Sequence, residues 1–137
     1  MKINICYPIK ETPHGGANQF LKALKKIFIG KEIYAETSEA DIILFNSHHN
    51  IEELMGTKSI FPNKIYVHRV DGPMRLYNNM NDNRDFIVYK LNSMASATIF
   101  QSQGPYENNL ELFNSSWKDE KLKLAGKEQI LKFVEGV

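Results

Sequence analysis

The sequence predicts a single Rossmann-like α/β domain spanning 1–137: a mostly parallel sheet with helices on both faces. Three observations carry this expectation. Short apolar runs near residues 3–7, 41–46, 64–70 and 98–101 alternate with stretches of helical periodicity, the pattern of βαβ units. The run Asp41–Asn46 (DIILFN) holds four consecutive apolar residues, as expected of a strand buried on both faces. Finally, the run KIYVHRVDGP passes from apolar strand to polar residues and a Gly-Pro turn. Open parallel sheets bind their ligands at such carboxyl-terminal strand ends.

Each element has a local reason. Ile3–Tyr7 is short, apolar and bounded by Pro8, which marks a buried strand. Lys10–Gly16 is a polar loop with Pro13 and two glycines. Over Ala17–Ile29, Phe20, Leu24, Ile27 and Phe28 recur at helical spacing and Lys22, Lys25 and Lys26 lie on the polar side; Gly30 is placed as the C′ cap. Glu32–Glu36 is a weak strand candidate. Ile51–Met55 reads as a short helix stopped by Gly56, and Lys64–Val70 as the next strand. Asp82 can cap a helix running to about Ala95, with Ile87, Leu91, Met94 and Ala95 on one side. Thr98–Gln101 is the following strand, and Gly104-Pro105 opens a helix near Tyr106–Phe113. A terminal amphipathic helix is expected at about 120–134.

Composition narrows the function classes. The chain has 137 residues, enough for one domain with a core. Lys+Arg total 17 against 16 Asp+Glu, a net charge of +1, so charge gives no argument for a nucleic-acid partner. No apolar run approaches the roughly 20 residues of a membrane-spanning helix. The lone Cys6 makes no intrachain disulfide and suits a reducing compartment; with no signal-peptide layout, the expected location is cytoplasmic. Cys6 reads as a buried strand residue rather than a nucleophile. No cofactor is implied.

The candidate site residues each carry two readings. Gly15 and Gly16 precede a helix, whose unpaired N–H groups favour anions; they either admit a phosphate or simply turn and cap the chain. The G-x-G-x-x-G and P-loop patterns are both absent. His48-His49 follows a strand and does not fit zinc spacing; His48 is either a ligand contact or a plain loop residue. His68, Arg69 and Asp71 form the best constellation. By the two-residue strand period, His68 and Val70 point to one face and Arg69 and Asp71 to the other. An imidazole or carboxylate there can act as a general base, and an arginine can bind phosphate or hydroxyl. The plain alternative is an Arg69–Asp71 pair holding the loop. Ser102, with Gln103, ends the strand TIFQ; it either bonds a ligand or caps the next helix. Glu120 and Glu128 show an E-x7-E spacing, but in a charged terminal stretch it is taken as coincidence.

Taken in order, the GGA loop, ADIILFNS, HRVDGP and KLNSMASATIFQS resemble the amino-terminal, acceptor-binding domain of GT-B glycosyltransferases of the family 4 type. The resemblance covers about residues 1–112. It implies a sugar or sugar-phosphate acceptor as partner, Gly15 and Gly16 near a donor diphosphate, and a key polar residue at His68 or Asp71. It also implies a separate donor-binding domain, which these 137 residues do not contain, so catalysis by this chain alone is not expected. The alternative is a non-catalytic interaction module on the same fold, forming a homodimer through Phe61, Met74, Leu76 and Tyr77. A third reading is a small phosphate- or nucleotide-binding protein of flavodoxin-like topology.

Overall fold

The computed structural model describes residues 1–12, 15–71 and 84–100, and the backbone of Leu122–Leu124. The elements in order are β1 (Ile3–Cys6), α1 (Gly15–Gly30), β2 (Ile42–Asn46), α2 (Ile51–Ile60), β3 (Ile65–Val70), α3 (Arg84–Asn92), β4 (Ala97–Phe100) and β5 (Leu122–Leu124). The strands form one sheet in the order β1-β2-β3-β4-β5, and every pairing is parallel. A Rossmann-like α/β domain is therefore what the chain adopts.

The sheet is dry on both sides because its strands are apolar on both sides. Ile3, Ile5, Ile42, Leu44, Val67, Ala97 and Ile99 pack with Leu21, Leu24 and Phe28 of α1. Cys6, Ile43, Phe45 and Tyr66 pack with Leu54 of α2, Leu91 of α3 and Ala95 on the other side. Burying each of the large side chains contributes roughly 2 kcal/mol relative to exposure. Helices on both faces are the outcome that the continuous apolar run in β2 predicts.

Sequence order hides one feature. Tyr34 bridges in parallel to Ile3, which itself pairs with Ile42 on its other side. The chain therefore leaves β1 through α1, touches down outside β1 at Tyr34, and returns to the opposite side as β2. α1 covers one face and α2 the other, as right-handed crossovers running in opposite directions require. The reversal makes a topological switch point between β1 and β2. In doubly wound sheets ligands bind in the crevice outside the carboxyl ends at such a point.

Several boundaries differ from the sequence expectation. The expected strand at Glu32–Glu36 reduces to the single Tyr34 bridge. α1 starts at Gly15 and includes Gly30; the left-handed residue after it is Glu32, with φ 58°. Leu21 rather than Ile27 joins Leu24 and Phe28 in the core. α2 runs through Gly56 to Ile60 and closes with the Phe61 N–H on the Thr57 carbonyl at 2.8 Å. A single exposed glycine costs a helix only about 1 kcal/mol, too little to stop it here.

The expected terminal helix at about 120–134 is corrected at its start, where Leu122–Leu124 is a strand paired with Thr98–Phe100. The alternation of apolar and charged residues in LKL suits either element, and the exposed edge of β4 decides it. The rest of that stretch lies outside the described residues, as do the expected helix at Tyr106–Phe113 and the capping residue Asp82. Among the described residues, no helix is long and apolar enough to cross a membrane.

Candidate functional site

Four parallel strands run to the carboxyl edge. The register aligns Cys6 with Phe45, Phe45 with His68, and His68 with Thr98, while Asn46 pairs with Arg69. Adjacent positions face opposite sides. The Arg69 row faces α1; the His68 row faces α2 and α3.

Arg69 is the largest buried side chain among the described residues, 2 % exposed. A guanidinium survives burial only when its donors are met. Nη1 donates to Asn46 Oδ1 at 2.7 Å and Nη2 lies 3.2 Å from Asp71 Oδ1. Nη1 also reaches Asp71 Oδ2 at 3.4 Å, so the pair is forked. The plane sits over the Phe20 ring of α1, with Cζ 4.3 Å from its centroid. Burial lowers the Arg69 pKa, while the Asp71 charge and hydrogen bond push it back up.

Asp71 is the exposed end of this assembly, its side chain 32 % accessible. Ser47 holds it twice: the hydroxyl donates to Asp71 Oδ2 at 3.3 Å, and Ser47 Oγ accepts from the Asp71 backbone N–H at 3.3 Å. The Ser47 N–H is tied to the Arg69 carbonyl at 2.8 Å. These bonds fix Ser47 at φ 44°, a left-handed conformation costing a non-glycine residue about 1 kcal/mol. The carboxylate is thus fixed in direction, part-exposed, at the carboxyl end of β3.

His68 has a different role from the one its residue type suggests. It is fully buried. Nε2 lies 2.9 Å from the Ser47 carbonyl and so carries the proton. Nδ1 then accepts from Asn92 Nδ2 at 3.1 Å, and that amide also donates to Thr98 Oγ1 at 2.6 Å. The ring stacks on Phe45, centroids 4.3 Å apart. Burial pushes its pKa down to about 4, the Ser47 hydrogen bond opposing. Both nitrogens are engaged, so His68 is a neutral strut between the β2 turn and α3. Of the two candidates for the key polar residue, only Asp71 opens to solvent.

The remaining site residues fall as follows. Gly15, with φ 75°, and Gly16 open α1 at this same edge, and a Cβ on either would meet nothing within 4 Å. The loop before them is pinned by buried Asn18, whose amide accepts from the Lys10 N–H at 2.7 Å and donates to the Lys10 carbonyl at 3.0 Å. His48 and His49 stack at 4.3 Å in the turn after β2, and Tyr7 meets His49 edge-on at 5.3 Å. The topology puts Gly15, Gly16, His48, Arg69 and Asp71 at the carboxyl-terminal end of the sheet, with Arg69 itself buried. Ser102 lies outside the described residues.

Phe61 sits at the opposite, amino-terminal edge. There it lines a groove of about 490 Å³ with Met1, Asp41, Ile60 and Lys64. Of the four residues named for self-association it is the one described; Met74, Leu76 and Tyr77 are outside the described residues.

Sequence reasoning passed over Tyr7, Asn46, Ser47 and Asn92. The first three carry the signal that exposed His68, polar groups directly after an apolar run. Asn92 had none, being one amide in a polar helix end.

Cys6 is buried and its thiol is pushed up to about 11, chiefly by burial, with the Glu53 charge adding and the Asn50 hydrogen bond opposing. Alkylation by iodoacetamide at neutral pH is expected to run at least ~100-fold slower than for a free thiol, because the thiolate is scarce. Labelling of the native protein at the rate of the urea-unfolded chain would contradict this. Among the described residues, no three His, Cys, Asp or Glu side chains gather as a metal site would require.

Fold and site together define a doubly wound α/β domain with an Arg69–Asp71 ion pair and the Tyr7, His48 and His49 rings at the carboxyl ends of its strands. In comparisons with known proteins, the chain matches no family model, no curated protein and no solved structure.

Proposed function

We propose that this domain binds a sugar or sugar-phosphate at the β1/β2 crevice and serves as the acceptor-binding half of a GT-B-like glycosyltransferase. The observation that carries the reading is Asp71: a part-exposed carboxylate, aimed by buried Arg69 and by Ser47, beside the open amino terminus of α1. A fixed acceptor selects ligands with hydroxyl donors. The first N–H groups of a helix have no partner within the helix, which suits a phosphate at the Gly15-Gly16 end of α1. Nucleotide-sugar binding and the stabilisation of a departing diphosphate belong, on this reading, to a second domain outside the 137 residues. The purified chain is expected to bind acceptor without transferring sugar.

The paired glycines give a discriminating test. Gly15→Ala places a side chain at φ 75° and is expected to cost about 1 kcal/mol of stability. Gly16→Ala fits the helix and open space, so stability should hold or rise by about 0.5 kcal/mol. If Gly16 exists to let a ligand approach the backbone, the same variant loses sugar-phosphate binding in isothermal titration. Unchanged affinity in Gly16→Ala would reduce both glycines to a turn. Binding of inorganic phosphate or a mononucleotide with no response to any sugar would favour instead a phosphate- or nucleotide-binding domain. The strand order with Tyr34 outside β1 also suits that reading.

A further inference from the structure

The turn after β2 is more elaborate than a connection needs. Two non-glycine residues, Ser47 at φ 44° and Asn50 at φ 60°, bracket His48 and His49 in left-handed conformations. Both are held from outside the turn: Ser47 by Arg69, His68 and Asp71, and Asn50 by its amide bonds to Glu53 at 3.0 Å and Cys6 at 3.7 Å. What this arrangement fixes is the direction of two rings. His49 is further set by Asn46, whose Oδ1 is taken by Arg69, so that its Nδ2 faces His49 Nδ1 at 3.2 Å. The Asn46 carbonyl lies 3.3 Å from the same ring nitrogen, so both the side chain and the backbone of Asn46 hold this edge of His49. Tyr7, from the end of β1, completes the wall edge-on to His49. All three residues are half-buried.

Tyr7 also neighbours the ionic pair. Burial first, and the Asp71 charge second, raise its phenol pKa, while Arg69 opposes. A ring wall and a fixed carboxylate therefore share one mouth. A pyranose matches both: its C–H face packs on aromatic surface and its rim hydroxyls donate to carboxylate.

We propose that Tyr7 and His49 form a stacking wall for the ring of a pyranose whose hydroxyls are received by Asp71. The proposal rests on the carbohydrate reading above and adds where the ring lies and which side chains select it. His48 backs the wall by stacking on His49.

The test uses methyl hexosides as probes, observed through ring-labelled tyrosine and histidine signals in NMR. Saturating sugar is expected to shift the Tyr7 and His49 signals and leave buried His68 unmoved. Tyr7→Leu and His49→Ala should each weaken binding at least tenfold, and Tyr7→Phe, which keeps the ring, should bind within about threefold of the parent. Tyr7→Leu keeps apolar volume where alanine would leave a hole, and melting midpoints verify that each variant folds. Hexosides bound equally by parent, Tyr7→Leu and His49→Ala would overturn the wall while sparing the carbohydrate reading. Response to adenosine or inorganic phosphate with none to any hexoside or hexose phosphate would overturn both.

Discussion

Replacing Arg69 with alanine is expected to destabilise the domain by about 3 kcal/mol and to abolish ligand binding at the crevice. The loss has separable parts. Buried Asn46 Oδ1 loses its 2.7 Å donor, and an unmet buried acceptor costs about 1–3 kcal/mol. The space beneath Phe20 empties, adding a cavity cost. The ionic contribution is smaller, because a third of Asp71 is open to water and its charge is screened. Arg69→Lys restores the charge but neither the fork nor the stacking, so it should recover less than half of the lost stability. Asp71→Asn keeps the shape and should cost about 1–2 kcal/mol while removing affinity for hydroxyl donors. Urea unfolding followed by circular dichroism measures all three. A loss under 1 kcal/mol for Arg69→Ala would mean that the buried guanidinium is not organising the site.

The second large effect is a pH dependence set by His68. Its pKa in the folded protein is about 4, against an ordinary value near 6.5. The unfolded chain therefore takes up a proton that the folded one refuses between those values. The stabilising contribution is complete above pH 6.5 and is lost as pH falls toward 4; over that window it amounts to about 3 kcal/mol. Protonation would leave Nδ1 facing the Asn92 amide donor and release the strut between α3 and the Ser47 turn. Because Ser47 also holds Asp71, binding at the crevice should weaken in the same window. Carboxylates titrate at acid pH too, so the decisive quantity is the difference in slope between the parent and His68→Gln. Unfolding free energies at pH 7, 5.5 and 4.5 should fall more steeply for the parent. Parallel slopes would show that His68 does not titrate as a buried neutral group.

The two residues share a strand and differ by one position, and that contrast shows how much the sequence discloses. The alternating direction of strand side chains separates His68 from Arg69 before any coordinates are consulted. It does not disclose which ring nitrogen is engaged, or by what. The partners of His68 are Ser47 and Asn92, 21 and 24 positions away. Histidine is chemically the more typical base, yet it is the one sealed inside, while the Asp71 carboxylate reaches solvent. The turn bearing His48 and His49 was visible as a polar interruption. Its left-handed residues and its contact with Tyr7 depend on how β1 lies against β2.

What the sequence determined by itself is the run of parallel strands and covering helices and the placement of polar groups at the ends of β2 and β3. Those features follow from local periodicity and from burial of apolar runs on both faces, which neighbouring residues encode. Only the tertiary structure decided that Tyr34 pairs outside β1 to create a switch point, that Leu122–Leu124 becomes a strand, and that Asp71 rather than His68 reaches solvent. Each of these is a pairing between residues distant in the chain. Its energy comes from an exposed sheet edge or an unmet buried polar atom, and neither exists until the rest of the sheet has formed.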